Sequence, residues 1–93
     1  MKHKYSCDYL RKIRNDVYIA NLIQDVLGIP TKISEHHLRF LCPICSEFNT
    51  AVNLSTNLAR CFRCEQNFNP IDMVMTVKGY SFLDAVEFLA PLL

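Results

Sequence analysis

The spacing of apolar positions changes period twice along the chain. Leu10, Ile13 and Val17 recur at helical spacing and predict a short basic helix over residues 6–14. Ile19, Leu22, Ile23, Val26 and Leu27 then follow the i, i+3, i+4, i+7, i+8 pattern of a helix with one buried face. Asp16 is placed to cap it, Gly28 to end it, and Pro30 forbids its continuation. After Pro30 the period falls towards two. Leu38, Phe40 and Cys42 share one parity while Arg39 and Leu41 share the other, so residues 32–41 predict one or two strands, broken near Glu35 and His36. Over Thr50–Thr56 the pattern puts Val52 and Leu54 on one face and Asn53 and Ser55 on the other. Asn57 makes a turn, and Leu58–Phe62 returns. The helical period resumes at Asn69, an expected N-cap followed by Pro70 and a capping-box acid, Asp72. Ile71, Val74 and Met75 line that helix and Gly79 ends it. Ser81–Asp84 predicts a second capping box, and Phe82, Ala85, Val86, Leu89 and Ala90 repeat the apolar face up to Pro91.

These elements predict an α+β fold: a helical lead-in over 1–28, a small antiparallel sheet within 32–66, and two helices over 69–90. A length of 93 residues suits one such domain and leaves no room for a polymerase-sized catalytic fold beside it. Apolar residues make up 51% and charged residues 20%, which excludes disorder and low complexity. No apolar run reaches the roughly 20 residues that cross a bilayer, and Met1–Lys4 leads into no signal-peptide core. A cytoplasmic protein without membrane contact is expected. The net charge of +1 hides an asymmetry. Residues 1–64 carry nine Lys/Arg against five Asp/Glu, whereas residues 65–93 carry Lys78 against Glu65, Asp72, Asp84 and Glu87. That division predicts two surfaces with different partners.

The cysteines add the chemistry. Cys42, Cys45, Cys61 and Cys64 read C-x2-C-x15-C-x2-C, with Cys7 left over. A C-x2-C turn brings two thiolates to one side of a tight loop whose backbone N–H groups can hydrogen-bond the sulfurs. Two such loops complete a tetrahedron around Zn2+. The 15 intervening residues are enough for two short strands and a turn, the layout of a zinc ribbon. Disulfides would leave an odd cysteine in a chain without an export signal. A redox reading of Cys42-Pro43-Ile44-Cys45 needs a helix after the pair, where a strand pattern follows, and gives the second pair no role. One structural zinc on four thiolates, with no open position for water, is therefore expected. Cys7 is read as a spare thiol, and His36 and His37 as solvated positions at a strand turn.

With these motifs in order, the chain resembles the zinc-binding domain of bacterial and phage-type DNA primases over about residues 13–90. The resemblance rests on Leu41-Cys42-Pro43-Ile44-Cys45, then Cys61-Phe62-Arg63-Cys64, then Ile71-Asp72-Met73-Val74-Met75, then Gly79-Tyr80-Ser81-Phe82-Leu83-Asp84-Ala85-Val86. It implies a structural zinc and a role in presenting single-stranded template DNA to a separate catalytic domain. Several positions depart from the family pattern. Cys45 stands where many members have histidine, Arg63 replaces a common glycine, and Phe48 stands where a basic residue is frequent. Glu65–Asn69 replaces a glycine-rich stretch, in which Asn67 can tolerate the left-handed backbone a turn needs.

Lys32, Arg39, Arg60 and Arg63, interleaved with Phe40, Phe48 and Phe62, make a cation-and-aromatic pattern suited to a single strand. Phe40 and Phe62 are expected in the core, which leaves Lys32, Arg39, Phe48, Arg60 and Arg63 as candidate DNA contacts. No acidic cluster for paired magnesium ions and no phosphate-cradling glycine loop is present, so the chain is expected to be non-catalytic and to bind no small-molecule substrate. Its expected role is an accessory module of replication and primer synthesis, in a phage, plasmid or other mobile element. Either the acidic C-terminal helices or the basic segment 2–14 would dock a separately encoded primase, polymerase or helicase. The competing reading is a zinc-ribbon adaptor between proteins, or a transcription or recombination factor with no priming role.

Overall fold

The computed structural model describes residues 5–93. Residues 1–4, which begin the expected basic docking segment, lie outside the described residues. The first helix, α1, runs over Cys7–Asp16, where the Ser6 hydroxyl accepts the Tyr9 N–H at 3.1 Å and caps it. Asp16 is thus the last residue of α1 rather than the cap of the next helix. The next helix, α2, starts at Ile19–Asn21 with no capping bond from its own N-cap residue, Tyr18, and widens into a π-turn over Leu22–Val26. The wider turn advances each residue by less than the α-helical step. Val26 therefore falls short of the buried face and is exposed, while Leu22 and Ile23 are sealed. Gly28 takes the left-handed conformation, φ 64°, that ends the segment.

Strands β1 (Thr31–Ser34) and β2 (His37–Phe40) pair antiparallel, with Ser34 opposite His37. The break falls at Glu35 and His36, both at positive φ, the backbone of a tight type I′ hairpin. Strands β3 (Thr50–Asn53), β4 (Leu58–Cys61) and β5 (Gln66–Phe68) form a second antiparallel sheet in the order β3-β4-β5. The expected single sheet is therefore two. Thr50, fully buried, joins them: its hydroxyl accepts the Phe40 N–H at 2.8 Å and donates to the Phe40 carbonyl at 2.6 Å. The expected strand over Thr50–Thr56 stops at Asn53 because the Asn53 Oδ1 accepts the Ser55 and Thr56 N–H groups and turns the chain. Leu54 leaves the apolar face for that turn and is 77% exposed.

Helix α3 (Pro70–Lys78) carries the full expected capping box. Asn69 Oδ1 accepts the Asp72 N–H at 2.8 Å, Asp72 accepts the Asn69 N–H at 3.2 Å, and Gly79 closes the far end at φ 69°. Helix α4 (Phe82–Leu89) forms the serine half of its box, Ser81 Oγ accepting the Asp84 N–H at 3.2 Å, and runs into a 3-10 turn over Ala90–Leu92. Helix α1 packs on α3 and α4. One core connects all layers: Ile13, Ile19 and Ile23 from the lead-in, Phe40 and Ala59 from the sheets, and Ile71, Met73, Val86 and Leu89 from the C-terminal helices, each sealed from solvent. No helix among the described residues is long and apolar enough to cross a membrane.

Candidate metal centre and nucleic-acid face

Each thiol pair sits on a loop that its own backbone shapes. Ser46 N–H bonds the Cys42 carbonyl, and Cys42 N–H bonds the Glu47 carbonyl, both at 3.0 Å, which folds the first loop back on itself. Ile44 N–H points at Cys42 Sγ and Cys64 N–H at Cys61 Sγ, each at 3.4 Å, so the first sulfur of each pair receives the backbone donor that the motif requires. Ser46 (φ 60°) and Glu65 (φ 55°) both take the left-handed conformation directly after the second cysteine of their pair. The two loops are therefore near-repeats of one another. The left-handed residue of the second is Glu65, not Asn67, which lies in β5 opposite Arg60. That register needs the reversal to be finished before Gln66.

The antiparallel pairing of β3 and β4 sets Thr50 opposite Cys61 and brings the loops together. All four sulfurs lie within 4.8 Å of one another. The cross-loop separations are 3.9 Å for Cys42–Cys64 and 3.6 Å for Cys45–Cys61. A tetrahedron of ~2.3 Å Zn–S bonds has edges of ~3.8 Å, close to both cross-loop separations, so the donor set fits one zinc ion. Its chemistry points the same way. Burial pushes the Cys42 thiol up. Burial acts upward on Cys61 too, but the Cys64 N–H and the three neighbouring sulfurs stabilise its thiolate and bring it down to about 7. Partial burial and the other sulfurs push Cys64 up to about 12. Four negative charges in this space are affordable only around a cation. Cys7 is exposed and outside the cluster.

The candidate DNA contacts divide into separate places. Arg39 is held within the protein: its guanidinium donates to the Thr50 carbonyl at 2.9 Å and meets the Glu35 carboxylate at 3.9 Å. Lys32 lies over the Phe48 ring, 4.7 Å from its centroid. Arg63 faces Glu47 at 3.8 Å, both well exposed. Arg60 lines a different surface, an open groove of about 690 Å³ between the β1–β2 hairpin and the solvent face of the three-stranded sheet. Phe62 lies there with it, 48% exposed rather than in the core, its ring 5.7 Å from the Arg60 guanidinium carbon. Its N–H bonds the Asn49 carbonyl, extending the β3–β4 pairing by one residue. Cys61 is turned inward, so alternation turns Phe62 outward. That parity was the sequence signal for its exposure. Leu54 and Leu58 add an apolar wall, and His36 and His37 are exposed at one end.

Two hairpin-linked thiol loops closing on one site define a zinc ribbon with an all-sulfur, structural metal centre. The family follows from the whole chain: residues 5–93 match the CHC2 zinc finger, the zinc ribbon of DnaG, and the protein belongs to that family. No curated protein matches the chain. It is thus a zinc-binding module of the DnaG primase type, holding one structural Zn2+ on Cys42, Cys45, Cys61 and Cys64. With Cys45 as its second ligand, it is an all-cysteine member.

Proposed function

We propose that this zinc module contacts single-stranded template DNA through the groove beside β3, β4 and β5, and that it presents the strand to a primase, polymerase or helicase. The observation that carries the reading is the pairing of Arg60 with the exposed Phe62 in an open groove. A cation beside a free ring is the combination that tracks phosphates and stacks bases. The Arg63–Glu47 pair supports it, since an exposed pair at 3.8 Å contributes little and yields readily to a phosphate. Lys32 and Phe48 form a second cation–ring cluster for the same strand. Arg39 is released from the DNA assignment by its internal bonds. The zinc supports the fold, and the chemistry of primer synthesis belongs to a catalytic partner. Docking on that partner falls to the acidic C-terminal helices, where Asp84 and Glu87 are exposed beside the partly exposed Phe82.

The test is fluorescence anisotropy of the zinc-loaded chain with labelled single-stranded and duplex DNA across a salt series. The expected result is preferential single-strand binding with a log-log salt slope of about −0.7 per phosphate contacted. Arg60→Ala combined with Arg63→Ala should weaken binding while leaving the melting curve in place. Equal affinity for duplex, or wild-type affinity in the double variant, contradicts the reading.

A further inference from the structure

The polar side chains that face the groove are biased towards donors, and the bias follows from bonds made within the protein. Asn53 Oδ1 is committed to three donors: the Ser55 N–H at 3.0 Å, the Ser55 hydroxyl at 2.8 Å and the Thr56 N–H at 3.3 Å. Two backbone N–H groups must meet an oxygen, which fixes the orientation of the amide. The Nδ2 group of Asn53 is left over. Asn67 repeats the arrangement on β5. Its Oδ1 accepts from Arg60 Nη1 at 3.1 Å, and a guanidinium has only donors to offer, so here too the free end is Nδ2. Arg60 itself presents further N–H groups and no acceptor. No carboxylate lines the groove, and its remaining polar side chains, Thr56 and the two imidazoles, can act as donor or acceptor.

The register puts these groups on one surface. Arg60 is opposite Asn67 and Ala51, and Asn53 is opposite Leu58, two residues along β4 from Arg60, so all face away from the buried Ala59 and Cys61. Asn53 and Asn67 are two strands apart and offset by two residues along them, about 12 Å in all. One base cannot span that distance, so the two amides meet different nucleotides of the same strand.

We infer that the groove discriminates among bases by their exocyclic group, favouring the keto bases guanine and thymine over the amino bases adenine and cytosine. The inference rests on the single-strand reading given above. Guanine O6 and thymine O4 are acceptors and satisfy the free Nδ2 and guanidinium groups. Adenine N6 and cytosine N4 carry N–H2 in the equivalent place and set donor against donor. Stacking on Phe62 does not distinguish the two classes, because each holds one purine and one pyrimidine.

The experiment compares the 12-mers (GT)6 and (AC)6 in lithium buffer, which keeps the guanine-containing strand unfolded, with the zinc-loaded full chain. The two strands have equal length, charge and purine content, so phosphate binding cancels from the ratio. The expected result is about fivefold tighter binding of (GT)6, the low end for base discrimination because the groove is open to water. The second arm is the double variant Asn53→Asp with Asn67→Asp. It keeps both Oδ1 contacts and the fold but replaces each free donor with an acceptor. The added charge weakens both strands, while the (GT)6 to (AC)6 ratio should fall to about one or below. Equal affinity of the native protein for the two strands overturns the base preference while leaving the single-strand reading intact. Absence of binding to either strand overturns both. A ratio that stays fivefold in the double variant overturns the assignment to Asn53 and Asn67.

Discussion

Asn57 accepts the Ile19 N–H on its side-chain oxygen at 2.9 Å, across 38 residues of sequence. The same amide donates to the Arg14 and Val17 carbonyls, each at 2.8 Å. One turn residue of the ribbon thus satisfies the α1–α2 junction, where helix ends leave backbone groups without partners. Its left-handed backbone, φ 57°, aims the side chain at that junction.

Replacing it with alanine removes three bonds to a buried junction and leaves those groups unmet. Asn57→Ala should cost about 2–4 kcal/mol of stability, at roughly 1 kcal/mol or more per orphaned group. Asn57→Gly, which removes the same bonds but tolerates the backbone angle, should lose slightly less. Chemical denaturation of the zinc-loaded protein measures both, and an unchanged midpoint for Asn57→Ala would show that the lead-in is held by packing alone.

Arg39 and Arg63 should separate stability from DNA binding. Arg39 ties β2 to β3 through the Thr50 carbonyl. Arg39→Ala should therefore cost about 1.5–3 kcal/mol, as expected for a charged hydrogen bond, with single-strand affinity retained in the folded protein. Arg63→Ala should leave the melting temperature unchanged and weaken DNA binding. The reverse pattern would mean that Arg39 leaves Thr50 to meet the strand.

The thiol chemistry makes zinc uptake depend on pH with a definite sign. Cys61 is brought down to about 7, so above that pH it meets the metal already as thiolate. Below it one further proton must be displaced. The plot of log affinity against pH should therefore steepen by about one unit of slope as pH falls through 7. Wherever the metal-free ribbon is folded, the lowered Cys61 group contributes stability that is present above its unfolded value of 9.0 and is lost as pH falls through about 7. Competitive chelator titrations between pH 6 and 8 read the slope. The same slope on both sides of 7 would place the first ionisation elsewhere in the cluster.

Much of this was legible in the chain itself. The thiol spacing, the strand after the first pair, the Asn69–Asp72 box and the Gly28 and Gly79 stops each follow from local chemistry that tertiary context leaves alone. What escaped was tertiary. Val26 fits an α-helical stripe, but a π-turn changes the phase beneath it. Leu54 fits the strand alternation, but Asn53 bends the chain one residue earlier. Phe62 has the composition of a core residue and is turned out by its neighbour on the metal. Asn57 reads as an ordinary turn residue because its partners lie some forty residues away. The division of the cations between an internal strut at Arg39 and a groove at Arg60 depends on which sheet each strand joins.

The central claim is that one zinc on Cys42, Cys45, Cys61 and Cys64 holds the ribbon together. Zinc binding contributes on the order of 10–16 kcal/mol in small fingers, as much as the whole net stability of a typical domain, ~5–15 kcal/mol. Zinc content and thermal melting of Cys61→Ser, side by side with the native chain, test this most directly. The account predicts one zinc per native chain, less than stoichiometric zinc in the variant, and loss of at least the ribbon's cooperative transition. Stoichiometric zinc with an unchanged melting curve in Cys61→Ser would contradict it.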